Sequence, residues 1–455
     1  MRQGRGRLGA PSHRDHTMTL TRPNILRLAL PALVFACVLA VLLRVNHSPS
    51  VAPQREAGDT GAAALTGNTD QQIATLQGAV RANPGKADGY ALLGDAYLQK
   101  ARESGDASFY TRADRSYAAA LRRDDRSVTA VIGAGTLANT RHDFGRGLRL
   151  GLEAHRLAPD LARPYTVIAD AQIELGRYPA AERTIQRLVD LRPTLSSYAR
   201  ASYYRELTGD LPGAARAMQL AVSAGAGSPE NVAYVGALLG DLELARGHVG
   251  SAADAYRQAR AAGAEADGYF APALAGLAKV DIARGRLAAA AGRLRAASDR
   301  LPLTSYLTLL AEVDLARGQS AAARRELDTV RAQQRLQRAA GAVPDAELVV
   351  FEATHGSPRA AVALGRRVYR SAPSVRSADA LGWALTRSGR PGEGLAWDRK
   401  ALRLGSRDPL FHFHAGMAEK AVGQAGLARR ELRLALSLNP GFSPWLARQA
   451  REALR

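Results

Sequence analysis

The chain has 455 residues, a formal net charge of +20, 46% hydrophobic and 5% aromatic residues, and a sequence pI near 10.7. With so few aromatics, Ala and Leu must carry the core, which suits close helix–helix packing without a sheet. Cys37 is the only cysteine, so the rest of the chain has no disulfide framework and no thiolate metal site. The basicity is almost all Arg, with Lys only at Lys86, Lys100, Lys279, Lys400 and Lys420. Together with the abundance of Ala and Gly, this matches the codon bias of a GC-rich, actinobacteria-like genome. A selected contact with phosphate, anionic lipid or an acidic polymer is the other source of such a charge.

Residues 1–24 form a basic segment with Arg2, Arg5, Arg7, Arg14 and Arg22. Residues 25–45 are apolar except for Arg27 and Arg44. About 20 apolar residues span a bilayer as a helix, and the two arginines sit where long side chains snorkel to its faces. The segment is expected to be an uncleaved signal-anchor helix. A cleaved signal peptide is the alternative, but no convincing small-x-small site follows Leu43. A lipoprotein reading of Cys37 fails because Val38 to Leu43 stay apolar. Excess Arg before the span predicts the N-terminus inside and the remainder outside the cytoplasm. Met18 offers a second, more economical start. The Gly4-Arg-Gly-Arg-Leu-Gly9 run has neither a preceding strand nor a following βαβ unit, so it is not a nucleotide site.

Residues 46–69 are rich in Pro, Ala, Gly, Ser and Thr and are expected to form a flexible linker. The sequon Asn46-His47-Ser48 abuts the span and is attributed to chance. From residue 70 to 442 one pattern recurs with a period of about 34 residues. The clearest copy has Tyr165, Ile168 and Ala169, then Gly176, then Ala181, Ile185 and Leu188, closed by Pro193. That order predicts helix, turn, helix, stop. A half unit with Leu76, Ala79 and Pro84 precedes the first full copy. The first copy has Tyr90, Leu93, Gly94 and Tyr97, then Ala113, Tyr117 and Ala120, with a turn lengthened over Ala101 to Ser108.

Later copies are marked by Gly135, Gly147 and Ala154; by Gly209, Ala214 and Ala221; by Gly240, Gly247, Ala252 and Ala259; and by Gly285, Ala290 and Ala297. They continue through Gly318 and Ala323; Gly356 and Ala361; Gly382, Gly389 and Ala401; and Gly423, Ala428 and Ala435. A Gly-rich joint at Gly225 to Pro229, and the weaker eighth and ninth copies, are expected to alter the stacking. Residues 443–455 are expected to be an amphipathic capping helix over the last unit.

This pattern resembles the tetratricopeptide repeat family, in which Leu-Gly stands at positions seven and eight, Ala at twenty and twenty-seven, and Pro near thirty-two. The resemblance implies an all-α fold. It would be a right-handed α-solenoid of about ten helix–turn–helix units, preceded by the transmembrane helix. It also implies a concave groove lined by the first helix of each unit, and a scaffold that binds proteins. The ninth position faces that groove and carries Asp95, Asp170, Asp241 and Glu312, with Glu174 and Glu206 beside them. Arg pairs sit on second helices at Arg122-Arg123, Arg324-Arg325, Arg366-Arg367 and Arg429-Arg430. The acid row is either a soluble helix face or a groove for a basic or neutral segment of a protein or peptide. The Arg-rich convex face is a candidate contact for an anionic polymer. The family's chaperone-tail binders clamp a terminal carboxylate with Lys and Asn; Ala91 and Asp95 stand at the matching positions, so that clamp is not expected.

Chemistry is missing elsewhere. No H-E-x-x-H, phosphate loop, paired Cys or Gly-x-Ser-x-Gly motif occurs, so no catalytic site, cofactor or metal is expected. His412 and His414 stand two apart on a helix, so their rings point to different faces. Trp383 and Trp397 are expected to pack. Aromatics do not interleave with Arg, which argues against nucleic acid. A non-catalytic subunit organising an envelope or polymer biosynthesis or transport complex is the rival reading. A cytoplasm-facing assembly factor is another.

Overall fold

A computed structural model describes residues 69–225, 229–265, 270–339 and 341–455. The basic segment, the apolar span and nearly all of the linker lie outside these residues. Among the described residues there are 22 α-helices, one 3-10 turn and no strand. No described helix is long and apolar enough to cross a membrane. A lead helix, α1 (Thr69–Ala82), is followed by ten helix pairs. The first five are α2 (Ala87–Ser104) with α3 (Ser108–Leu121), α4 (Val128–Thr140) with α5 (Phe144–Leu157), α6 (Arg163–Glu174) with α7 (Tyr178–Leu191), α8 (Leu195–Leu207) with α9 (Leu211–Ala224), and α10 (Pro229–Ala245) with α11 (Val249–Glu265). The second five are α12 (Phe270–Ala283) with α13 (Leu287–Arg300), α14 (Thr304–Ala316) with α15 (Ser320–Ala339), α16 (Ala346–His355) with α17 (Pro358–Ser371), α18 (Val375–Arg387) with α19 (Pro391–Ala401), and α20 (Pro409–Ala421) with α21 (Ala425–Leu438). Leu402–Leu404 form the 3-10 turn, and α22 (Pro444–Ala453) ends the chain.

Most helices pack most heavily on their pair mate and then on the next unit, as a solenoid requires; α6, α16 and α17 are exceptions, with α6 packing more on α5 and the α16–α17 pair more on α18 than on each other. The expected alanines are where the helices cross. Ala113, Ala120, Ala154, Ala181, Ala214, Ala221, Ala252, Ala259, Ala290, Ala297 and Ala323 are all buried. Inner helices stop at glycines in the left-handed conformation, for example Gly176 at φ 66° and Gly318 at φ 77°. That conformation strains any residue with a Cβ. His142 takes the same role in the second unit at φ 63°, and it has a long-range hydrogen bond described below. The Arg pairs are exposed; three lie on second helices as expected, while Arg122-Arg123 falls just past the end of α3 at Leu121. One expectation needs correcting. The extra residues after Ala101 do not lengthen the turn; they extend α2 to Ser104, leaving a short link that starts at left-handed Gly105. The helix can absorb them because Ala101 is buried while the added last turn lies at the surface.

The solenoid coils tightly enough for its second turn to rest on its first. Val343 N–H donates to Arg141 O at 3.0 Å, and His142 Nδ1 lies 3.2 Å from Val343 O, 201 residues away. Val375 N–H donates to the hydroxyl of Tyr178 at 2.7 Å, across 197 residues. The backbone of Gly176 passes so close to the carbonyl of Pro373 that a side-chain carbon could not fit; Gly209 stands in the same relation to the carbonyl of Gly405. The ends of α4, α6 and α8 thus stand on the loops entering α16, α18 and α20, a step of about six 34-residue units. Gly105, after α2, faces Leu301, before α14, in the same way. Inner helices of both turns enclose a lumen.

This seam makes a test of glycine substitution possible. Gly209 and Gly247 have φ of 81° and 79°, but Gly247 has open space around its Cα. Gly247→Ala should cost only the left-handed strain, about 1–2 kcal/mol. Gly209→Ala should cost clearly more, because it must also part the two turns. Urea unfolding of the two variants checks this; equal losses would mean the seam contributes nothing to stability.

Candidate functional site: the charged lumen

All six sequence-predicted acids lie on inner helices, but each has a different set of partners. Asp95 on α2 accepts from the hydroxyl of Tyr117 at 2.7 Å and lies 3.8 Å from Arg163. Asp241 on α10 repeats this arrangement, accepting from Tyr256 and from Lys279, each at 2.6 Å. Both tyrosines reach inward from the second helix of the unit. Their rings pass through gaps that exist because Gly94 and Gly133, and Gly240 and Gly276, lack side chains. The Leu-Gly signature is therefore the opening through which a tyrosine reaches its aspartate. Burial pushes the Asp95 carboxyl up, against the pull of Arg163 and Tyr117.

Asp170 on α6 is held by both nitrogens of a fork from Arg200 on α8, at 2.8 and 2.7 Å. Glu174 accepts from the Tyr203 hydroxyl at 3.3 Å, and burial raises it against the charge of Arg376. Glu206 has no partner of this kind. It is open to lumen water but walled by protein, and desolvation pushes its carboxyl up to about 7, with Asp408 and Asp241 adding to the rise. Glu312 on α14 is buried. It accepts from Ser443 Oγ at 2.7 Å, and His355 Nε2 lies 3.2 Å from its other oxygen.

Sequence reasoning placed acid inside and Arg outside, and the inside half of that needs correction. Arg163, Arg200, Lys279 and Arg376 are inner-helix cations that meet the acids across the lumen wall. Arg376 is the residue it missed. Its Nη1 donates to the Tyr203 hydroxyl at 3.2 Å, and its Nη2 lies 3.9 Å from Glu347. It borders the cavities at the seam, in the second turn and beside Glu206. No local pattern marks it, because Tyr203 and Glu174 face it from the first turn and Glu347 from a neighbouring unit of its own.

The seam cavity, about 440 Å³, is the largest of these. The first turn gives it Asn139, Asp170, Glu174, Arg200 and Tyr203, and the second turn gives Asp345, Glu347, Arg376 and Ser377. A second cavity of about 360 Å³ lies among α14, α16, α18, α20 and α22, with Leu309, Val350, Phe351 and Phe411 as apolar lining. A third, of about 160 Å³, adjoins Glu206 and Asp408.

A second population of acids is structural. Glu243, Asp281 and Asp314 each stand four residues before a turn glycine and are buried. Each is clamped by cations from its own turn or the neighbouring helix. Asp314 meets Arg295 at 2.7 Å and Arg317 at 2.9 Å. Asp281 meets Arg286 at 2.5 Å and Arg293 at 2.8 Å. Such pairs fix the turn.

The two histidines do diverge. His412 Nδ1 meets Glu431 at 2.7 Å while its Nε2 faces Ser406 O at 3.1 Å; that hydrogen bond holds the Glu431 carboxyl below its usual range. His414 instead pairs with Asp379 at 2.9 Å and stacks on Trp383 with ring centroids 4.3 Å apart. Trp383 is buried and Trp397 packs edge-on against Tyr369, as expected of packing residues. Nearby, Asp398 is 1% exposed, and neither of its carboxyl oxygens has a hydrogen-bond partner. Burial lifts its carboxyl well above the ordinary range, with Asp379 and Glu419 adding to the rise. Among the described residues no group of three or more His, Cys, Asp or Glu is placed to hold a metal. Ser443, Glu312 and His355 do not form a nucleophilic triad, because the glutamate, not the histidine, contacts the serine.

No protein-family model matches the chain, and no curated protein matches it. Among solved structures it is similar to a human IFIT1 dimer with PPP-AAAA, at 15% identity over 70% of this chain and 73% of that one, with a TM-score of 0.44. It is also similar to a human IFIT1 dimer with m7Gppp-AAAA, at 14% identity over 74% and 78%, with a TM-score of 0.46. A third likeness is to the APC/C hetero-tetramer Cut9–Hcn1, at 12% identity over 93% and 99%, with a TM-score of 0.36. No residue role is carried over from them.

Asp398 gives a pH test. Its raised carboxyl keeps a proton in the folded chain that the unfolded chain releases, so its contribution to stability falls as pH rises from the unfolded value through the folded one. Asparagine does not titrate. Asp398→Asn should match the parent near about pH 4 and melt progressively higher than it towards about pH 8. A melting-temperature difference that stays flat over that range would contradict the protonated, buried Asp398.

Proposed function

We propose that this chain is a membrane-anchored scaffold of the tetratricopeptide type, held outside the cytoplasm by residues 25–45, whose lumen captures a segment of a protein partner. The observation that carries the reading is the seam cavity. It is open to solvent, large enough for several side chains, and lined by inner helices from both turns. Its carboxylates, Asp170, Glu174, Asp345 and Glu347, outnumber its guanidinium groups, Arg200 and Arg376. Asp170 is already matched by the Arg200 fork, so the remaining acids favour a Lys- or Arg-bearing segment. Glu206 continues this field along the lumen, and an entering cation would favour release of its proton. Binding of this kind needs no covalent step, and the reading assigns none to the protein.

Two experiments test the proposal. The full chain, purified in detergent, should capture a defined set of partners, and Asp170→Lys with Asp241→Lys should lose most of them while keeping the parent's helical circular dichroism. An unchanged partner set would remove the lumen as the binding face. For orientation, a tag at the C-terminus should be labelled by a membrane-impermeant reagent in intact cells. Labelling only after lysis would place the repeats on the cytoplasmic side.

A further inference from the structure

The last helix does not follow the stacking rule of the rest. Units one to four each stand on the unit six places later, and the same step would bring α22 onto the end of α10. Gly247, just after α10, instead faces open space. Gly441 packs against Ile282 and Ala283 at the end of α12, one unit further on. Ser443 reaches Glu312 of α14 across 131 residues. The helix α22 contacts α14 as well as its neighbours α20 and α21. It is therefore more than the cap its sequence suggests, since it crosses to the inner face of a unit four places earlier.

Its contacts have the form of a ligand in a groove. Leu446, Ala447 and Ala450 are buried, while Arg448, Arg451 and Glu452 are exposed. Ser443 accepts from Leu446 N–H at 3.0 Å, capping the helix, and donates its own proton to Glu312 at 2.7 Å. Leu446 borders the cavity of about 360 Å³ together with Leu309, Phe351 and Phe411, so apolar groove remains open beside the helix. A helix of 10 residues is marginal in water by itself. Its order depends on the seat it occupies.

We infer that α22 is an internal ligand of a helix-binding groove between α14 and α20. The groove accepts, from a partner, a short amphipathic helix with a capping Ser or Thr, an aliphatic residue three positions later, and small residues four and seven positions later. The hydroxyl satisfies the buried Glu312, and the aliphatic residue fills the place of Leu446. Because α22 is tethered, it holds the groove at high effective concentration, and a partner helix enters by exchange. This inference rests on the reading of the inner helices as a binding face but concerns a different cavity from the seam.

The test uses a fluorescein-labelled synthetic peptide spanning residues 440–455, added to the full chain, with anisotropy as the readout. Leu446→Asp should release α22 and bind the peptide at least tenfold more tightly than the parent, with Ser443→Ala in between. A peptide carrying the Leu446→Asp change should not bind. The inference is overturned if Leu446→Asp keeps the parent's circular dichroism yet gains no peptide binding, or if the parent binds equally well. Should Leu446→Asp lose its fold, Ser443→Ala decides, and binding equal to the parent's then overturns the inference. No external partner is needed, so this experiment can fail while capture at the seam succeeds, and the reverse.

Discussion

The carbonyl of Pro373 lies where a side chain on Gly176 would be, and the amide of Val375 donates to the hydroxyl of Tyr178. Contacts of this kind turn a linear stack into a chamber. In an ordinary solenoid each unit touches only its neighbours, and stability is a sum of units and their interfaces. Here the ends of inner helices in the first turn bear on units about six places later. The curvature is then fixed where the C-terminal ends of α4, α6 and α8 meet the entries of α16, α18 and α20, and the lumen acquires a wall from both turns. At Gly176 and Gly209 glycine serves two purposes at once: it permits the left-handed turn and it lets two backbones approach.

The electrostatics follow from that closure. Acids on inner helices would be ordinary solvated groups on an open stack. In the lumen, burial favours the protonated forms of Asp95, Glu174 and Glu206, and most of the inner acids have found a donor. Asp95 and Asp241 find tyrosines and cations, Asp170 finds the Arg200 fork, and Glu206 is left with its carboxyl near neutrality. The deeper acids, Glu243, Asp281 and Asp314, are consumed in holding turns. The charge left around the seam cavity is thus a small remainder near Arg376, and it is acidic although the whole chain is basic.

The helix pairs were legible in the sequence because they are local. A turn glycine, an alanine at the crossing and a closing proline act within one 34-residue period, and the structure places Gly176, Ala181 and Ile185 as that pattern requires. The inward face of Asp95, Asp170 and Asp241 was legible for the same reason. The seam was not. A period says which unit follows which, whereas the pitch of the coil depends on small rotations that accumulate over several units. Hence Arg376, the seat of His142 against Val343, and the crossing of α22 to Glu312 have no local signature. The inner cations were misjudged because charges were sorted by helix, while Arg200 and Lys279 act on the acid of the preceding unit.

The stacking of the two turns is the claim on which the lumen, its charge and its cavities depend. It is tested most directly by a distance between the turns in solution. Spin labels at exposed Arg177 and Ser371, in a Cys37→Ser background, report that distance by double electron–electron resonance. Stacked turns predict a single narrow peak at short distance. A broad distribution at long distance would mean an open solenoid with no chamber, and would contradict the account.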